Sequence, residues 1–272
     1  MLAAAARVAR TTSRSRVVLA VVSAIIAAGV AMAVLAITSS SPGHATPAAA
    51  PKAATRAAPR ARTAQASRPD TIPVRGGSTL VATLATAVPR YTRPGGNPDG
   101  TVLATWYGRP SALPVIAQKP GWVKVRLATR PNGSTAWLRS AHLTFSQTPY
   151  RIVVNLSTKH VQMLVSGRVV LNAPAGIGTG TDPTPPGQFF VAFYEQSLGP
   201  GYGPFILVTS AHSDAIADWE GSGDAVIGIH GPLGADIGSS GVAVSHGCIR
   251  LPIDDLVRLA GLPAGTPITI AA

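Results

Sequence analysis

Cysteine is almost missing from this chain: one thiol, Cys248, in 272 residues. A single thiol cannot close an internal disulfide, so no covalent staple sets the fold. Acidic residues are scarce, 11 against 23 basic ones, and aromatic residues make up only 5%. With 28 glycines and 24 prolines as well, this composition disfavours helical bundles and favours turn-rich β structure. Internal repeats and glycine fingerprints of nucleotide-binding loops are absent too. The net charge of +12 is uneven, with +9 in residues 1–75, +7 in 76–150 and −4 in 151–272. A nucleic-acid enzyme would carry its positive charge along its working groove, so this distribution argues against nucleic acid as a partner.

Charge is wholly absent from "VVLAVVSAIIAAGVAMAVLAI" (17–37). An apolar run of this length can cross a hydrocarbon core of about 30 Å as a helix. Four arginines in "RVARTTSRSR" precede it, which predicts a basic cytoplasmic tail (1–16) and an exported remainder. We therefore expect residues 17–38 to be a single-pass membrane anchor. A signal peptide cleaved near "SSSPGHA" is the alternative, and the product is extracytoplasmic in either case. Residues 39–75 are rich in Ala, Pro and Thr with scattered Arg, and no periodic apolar face is there to bury. They read as an extended, disordered linker.

Residues 76–147 alternate short apolar stretches with turn signals. "GWVKVRL" has the period of a half-exposed strand, and "RPNGST" predicts a hairpin turn with Asn132-Gly133 at its tip. Trp122 and Trp137 fall on the two flanking strands. The Gly-Trp-x-x-Val…Gly…Ala-Trp-Leu arrangement resembles bacterial SH3-like wall-binding modules, which implies a small β-barrel acting as spacer or binding element. The charge of this region favours contact with anionic wall polymers.

Residues 148–272 read as a second β-rich domain. "YRIVVNLS" and "HVQMLVSGRVVLNAPAGIG" are strands with a Ser166-Gly167 turn, followed by "TPPGQFFVAFYEQ", "FILVTSAH" and "DAVIGIHG". "PIDDLVRLAGLPAG" predicts a short helix with Asp254 and Asp255 in its first turn. Leu256, Leu259 and Ala260 should share its buried face, and Gly261 should stop it. "TPITIAA" returns as a terminal strand.

The thiol sits in "SHGCIRL". A thiol needs a base or a positive environment to ionise at neutral pH, and two histidines could serve. His246 lies two residues before Cys248, on the same face of an extended segment. His230 ends the strand "AVIGIHG" and could be brought alongside, with the Gly231 carbonyl fixing its tautomer. The amides of Gly247 and Cys248 could face a substrate oxygen as an oxyanion hole. Zinc held by His230, His246 and Cys248 is a poor alternative, because His-x-Cys is a tight spacing for two ligands of one ion. His160 and His212 read as surface or strand-packing residues. "SLGPGYGP" (197–204) is a lid or an ordinary hairpin loop.

"IHG", fourteen residues between His230 and Ser245, and then "SHGCIRL" resembles the signature of the YkuD-type L,D-transpeptidases, and "TPPGQF" (184–189) resembles their Thr-Pro-x-Gly-x-Phe segment. The resemblance covers about residues 148–271 and implies a β-sandwich catalytic domain. It makes Cys248 the nucleophile, His230 the general base and Gly231 the residue that orients that base. Gly247 and Cys248 become oxyanion donors, while Ser245, His246 and Arg250 shape the pocket. For Arg250 a structural contact to the Asp254/Asp255 turn is the alternative. The implied reaction joins peptidoglycan stem peptides in 3-3 cross-links through a cysteine thioester, without cofactor or metal. Hydrolysis by the same acyl-enzyme, attachment of proteins to the wall, and an idle thiol in a wall-binding scaffold are the competing readings.

Overall fold

The computed structural model describes residues 71–233 and 241–272. The basic tail (1–16), the apolar span (17–38) and most of the 39–75 linker lie outside the described residues. Among the described residues no helix is long and apolar enough to cross a membrane.

The regular structure of the described chain is almost all strand. Its first part runs through β1 (Thr79–Leu84), β2 (Val88–Tyr91), β3 (Pro98–Val102), β4 (Thr105–Trp106) and β5 (Arg109–Pro110). It continues through β6 (Ala112–Lys119), β7 (Trp122–Arg126), β8 (Thr135–Arg139) and β9 (Leu143–Thr148). Seven of these form an antiparallel sheet in the order β3-β2-β8-β7-β6-β1-β9, with β4 and β5 as a separate hairpin. The alternation in "GWVKVRL" is realised in β7, where Val123 and Val125 are buried and Trp122, Lys124 and Arg126 are half-exposed. Val123, Val125, Leu113 and Leu138 make the core of this module. The described ladders form an open sheet ending at β3 and β9, where the sequence had suggested a small SH3-like barrel.

Two expectations change here. Residues 71–75, assigned to the disordered linker, are pinned: Ile72 exchanges backbone bonds with the Gln118 amide, and Gln147 bonds Pro73 and Arg75. Side-chain amides satisfy the backbone where no strand partner is available. The "RPNGST" turn is also wider than a two-residue hairpin, since β7 ends at Arg126 and β8 starts at Thr135. Gly133 takes the positive φ of 81°, and Asn132 does not. The extra residues project towards the following domain, with consequences described below.

The sheet changes between Thr148 and the next strand, β10 (Tyr150–Asn155). Then come β11 (His160–Val165), β12 (Arg168–Pro174), β13 (Ile177–Gly178), β14 (Gly187–Gln196), β15 (Phe205–His212), β16 (Val226–His230), β17 (Ala243–Ser245), β18 (Ile249–Arg250), the helix α1 (Ile253–Val257) and β19 (Pro267–Ala271). Eight strands form one mixed sheet, β12-β11-β10-β19-β14-β15-β16-β18, and β13 pairs with β17. Ser166 and Gly167 both have positive φ, the tight hairpin expected between β11 and β12. α1 is shorter than its pattern suggested: Leu256 and Leu259 are buried, but Ala260 is exposed. After Val257 the chain continues in turns, which rotates Ala260 off the helical face.

The two sheets share packing. Phe190 of β14 is fully buried in the core of the first module. Thr148 and Thr266 share a buried hydroxyl bond of 3.3 Å. Burying a phenylalanine contributes roughly 2 kcal/mol, so this junction is a packed interface.

Candidate active site

The site follows from strand periodicity. In β16, Ile227 and Ile229 point into the core, so Gly228 and His230 face the other way. β18 runs parallel to it with Ile229 opposite Ile249 and His230 opposite Arg250. Ile249 and Leu251 are core residues, which turns Cys248 and Arg250 to the same face as Gly228 and His230. The Gly228 amide donates to the Cys248 sulfur at 3.4 Å. A side-chain carbon built on Gly228 would sit 3.8 Å from His230 Cδ2 and 4.0 Å from Cys248 Sγ. Imidazole and thiol therefore flank one small space that only glycine leaves open. A cavity of about 240 Å³ opens there, bordered by Tyr202, Trp219, His230, His246, Cys248 and Arg250.

His230 is 3% exposed, and its Nδ1 lies 2.6 Å from the Gly231 carbonyl. A carbonyl can only accept, so Nδ1 carries the proton and Nε2 keeps its lone pair. Burial lowers the histidine pKa from 6.5 to about 4; the charge of Arg250 adds to this and the Gly231 bond opposes it. Burial raises the Cys248 thiol, and the Gly228 amide and Arg250 only partly offset this. The resting pair is thus a neutral thiol beside a neutral imidazole. Desolvation penalises the charged form of each.

Hydrogen bonds hold the loop around the sulfur. Ser245 Oγ donates to the Cys248 carbonyl at 2.6 Å and accepts from the Gly247 amide at 3.1 Å. Thr184 Oγ1 donates to the Gly247 carbonyl and accepts from the Gly178 amide, both at 2.8 Å. Gly247 has φ +115°, and a side chain there would meet Ile227 at 2.8 Å. The expected pair of oxyanion donors is altered, because the Gly247 amide is directed at Ser245 in this conformation. The Cys248 amide is the other member of that pair.

Gly231 has a second role. A side chain on it would strike Ile253 and the backbone at Tyr202 and Gly203, and its amide donates to the Tyr202 carbonyl at 2.8 Å. The 197–204 segment is thereby held against the site, with the Tyr202 ring 4.9 Å from the His230 ring. His246 is placed apart. Its ring packs on Trp219 at 5.2 Å and reaches Asp182 at 4.0 Å, on the exposed rim. Arg250 is 8% exposed, borders the cavity and exchanges backbone bonds with Gly176. Among the described residues no group of three or more His, Cys, Asp or Glu is placed to hold a metal ion. His160 sits at the surface with Nδ1 bonded to the Thr158 carbonyl, and His212 is buried between the modules.

Residues 149–270 match the model of the YkuD L,D-transpeptidase catalytic domain. The chain is 31% identical over 123 residues to the YkuD proteins of Bacillus subtilis and Bacillus licheniformis, which are assigned to the L,D-transpeptidases. Those matches span 45% of this chain and 66% of each relative, just under two thirds of its length. Among solved structures, an L,D-transpeptidase from Mycobacterium smegmatis aligns at 20% identity and TM-score 0.36, over 56% of this chain and 91% of that one. A mutant Enterococcus faecium L,D-transpeptidase aligns at 25% identity and TM-score 0.32, over 45% and 49%.

Within this domain, two residues near the sulfur escaped the sequence reading. Gly228 carries a signal only once its strand partner is known. Thr184 opens the "TPPGQF" segment that was noticed, but its grip on Gly247 spans 63 positions of sequence. Neither contact has a local pattern to betray it.

Proposed function

We propose that this chain is a cell-wall L,D-transpeptidase that joins two peptidoglycan stem peptides through a thioester on Cys248. The observation that carries the reading is the His230 imidazole, its Nδ1 held by the Gly231 carbonyl, across a small gap from the Cys248 thiol. As sulfur attacks the carbonyl of the third residue of a tetrapeptide donor, its proton passes to His230 Nε2. The carbon–nitrogen bond to the terminal D-alanine then breaks, and Nε2 gives that proton to the departing amine. A side-chain amine of a neighbouring stem attacks the thioester and loses a proton to Nε2. The carbon–sulfur bond breaks, and the proton returns to the thiol. The peptide bond's energy is kept in the thioester, so no nucleotide is required.

Desolvation leaves His230 free to accept a proton but opposes the transfer itself, since it lowers the imidazole and raises the thiol. A base with a pKa of about 4 is unprotonated at neutral pH, and the developing thiolate lies beside the Gly228 amide and the charge of Arg250. Incubating the protein with purified tetrapeptide stems, with and without an amine acceptor, and weighing the products tests the proposal. A dimeric product with loss of one D-alanine is expected. Tripeptide as the sole product would make the enzyme an L,D-carboxypeptidase.

The rest of the chain fits an envelope location. The apolar span 17–38 would anchor it with the N-terminus inside, and the spacer would carry the catalytic domain into the wall. We assign residues 76–147 to contact with anionic wall polymers. Arg139 lies over the rings of Trp122 and Tyr91 at 4.6 and 5.9 Å, and Lys119 over Trp137 at 5.7 Å. Cations held on aromatic faces present charge on a rigid surface.

A further inference from the structure

One wall of the catalytic cavity is the connection between β15 and β16, residues 213–225. Ser213, Trp219 and Ala225 of this segment border the cavity. The segment has no regular strand or helix, and residues 217–223 are all exposed. Its own bonds are short-range: Ser213 Oγ accepts from the Ala215 and Ile216 amides, and Asp218 accepts from Gly223. Such a segment has little buried apolar surface to hold it.

Within its own domain Ser213 also donates to the Ala225 carbonyl at 2.7 Å and the Trp219 ring packs on His246, and a further set of side-chain anchors comes from the first module. Arg130 Nε meets Asp224 Oδ1 at 2.9 Å, Nη1 donates to the Ser213 carbonyl at 3.0 Å and Nη2 to the Ile216 carbonyl at 3.2 Å. One planar guanidinium thus ties the start of the connection to its end. Asn132 exchanges two bonds with the His212 backbone, at 2.8 and 2.9 Å, and reaches Asp214 at 3.0 Å. Behind them His212 spans Asp224 at 2.8 Å and the Ala128 carbonyl at 2.7 Å. These are the residues that widened the expected hairpin between β7 and β8.

We infer that Arg130 and Asn132, which lie outside the catalytic domain, are positioning residues that hold the Trp219-bearing wall in place to receive the donor stem peptide. The first module is then part of the substrate-binding apparatus as well as a spacer. This inference rests on the transpeptidase reading for its substrate. The wall acts on binding, because neither residue borders the gap between His230 and Cys248.

The test uses the full chain with the substitutions Arg130→Met and Asn132→Ala, and with Arg109→Ala as comparison. Arg109 makes the other ion pair between the modules, with Glu195 at 3.3 Å, and neither partner borders the cavity. Loss of one charge-assisted anchor should raise the tetrapeptide KM about tenfold and leave kcat within about twofold. Hydrogen exchange of amides 214–224 should quicken in the same variants, while that of β16 stays unchanged. Arg130→Lys should recover only part of the effect, since an ammonium cannot bridge three acceptors in a plane. Arg109→Ala should change neither readout. Unchanged KM overturns the inference, whether exchange quickens or not, and so does an equal rise in KM for Arg109→Ala. A wild-type chain that does not turn over tetrapeptide refutes the transpeptidase reading instead, and hydrogen exchange still decides whether the wall is held.

Discussion

The two sheets of this protein treat polar groups in opposite ways. Among the described residues, the buried polar side chains of the first module are Ser111 and Thr148, whereas those of the catalytic domain number nine, among them Thr184, His212, His230, Ser245 and Arg250. The first module holds two of its cations, Arg139 and Lys119, outside on the faces of Tyr91, Trp122 and Trp137. Burying a polar group costs free energy unless it is bonded, so a domain that buries many must gain something from their placement. Here the gain is a fixed thiol, a fixed imidazole and a fixed loop between them. The lesson is that the more expensive interior marks the working one, and the apolar interior marks the support.

That contrast can be broken at several points. The largest effect should come from Cys248→Ala, which leaves no nucleophile: exposure to a carbapenem, followed by intact-mass measurement, should give an adduct with the wild type and none with the variant. Next is His230→Gln, expected to slow acylation by 10²–10⁴-fold, roughly the span of general-base catalysis. A rate within twofold of wild type would remove His230 from the mechanism. Phe190→Ala attacks the support instead. Emptying its buried site should lower unfolding free energy by about 3–5 kcal/mol in denaturant melts, with the acylation rate of the folded fraction little changed. Thr184→Val lies between the two, since it strips a buried acceptor and donor from the nucleophile loop. We expect a loss of about 1–3 kcal/mol together with slower acylation, a coupling that a purely structural threonine would not show.

The most gradual effect is a matter of pH. With the His230 pKa lowered to about 4, the acid limb of the acylation rate should fall near pH 4 and not near 6.5. Stability carries the same signature. Between about pH 4 and 6.5 the unfolded chain holds a proton on this histidine that the folded chain lacks, so folding weakens as pH falls through that window. The contribution lost is about 3 kcal/mol from this group alone. It should shrink in His230→Gln, and urea melts at pH 4.5 and 7 would show whether it does.

Much of this could be read along the chain. Alternation in "GWVKVRL" located β7, and the Ser166-Gly167 pair located the turn between β11 and β12, because a period of two and a positive φ are local properties. The spacing of "IHG" and "SHGCIRL" located the thiol and its neighbours for the same reason. The ends of elements were less legible. Ala260 left its predicted face when α1 stopped at Val257, and residues 71–75 were taken for linker because their partners, Gln118 and Gln147, are 46 and 72 positions or more away.

The sequence by itself determined which side chains could do chemistry, and that they lie on strand ends beside glycines, since residue type and period are written locally. Only the tertiary structure decided which histidine faces the sulfur. A parallel pairing of β16 with β18 sets His230 beside Cys248, while the His246 ring is turned to Trp219. It decided too that burial disfavours the charged forms of both the thiol and the imidazole, because desolvation depends on everything packed around them and not on their neighbours in the chain. The grip of Arg130 and Asn132 on the far wall belongs to the same class of fact, fixed by how two sheets meet across more than eighty residues of sequence.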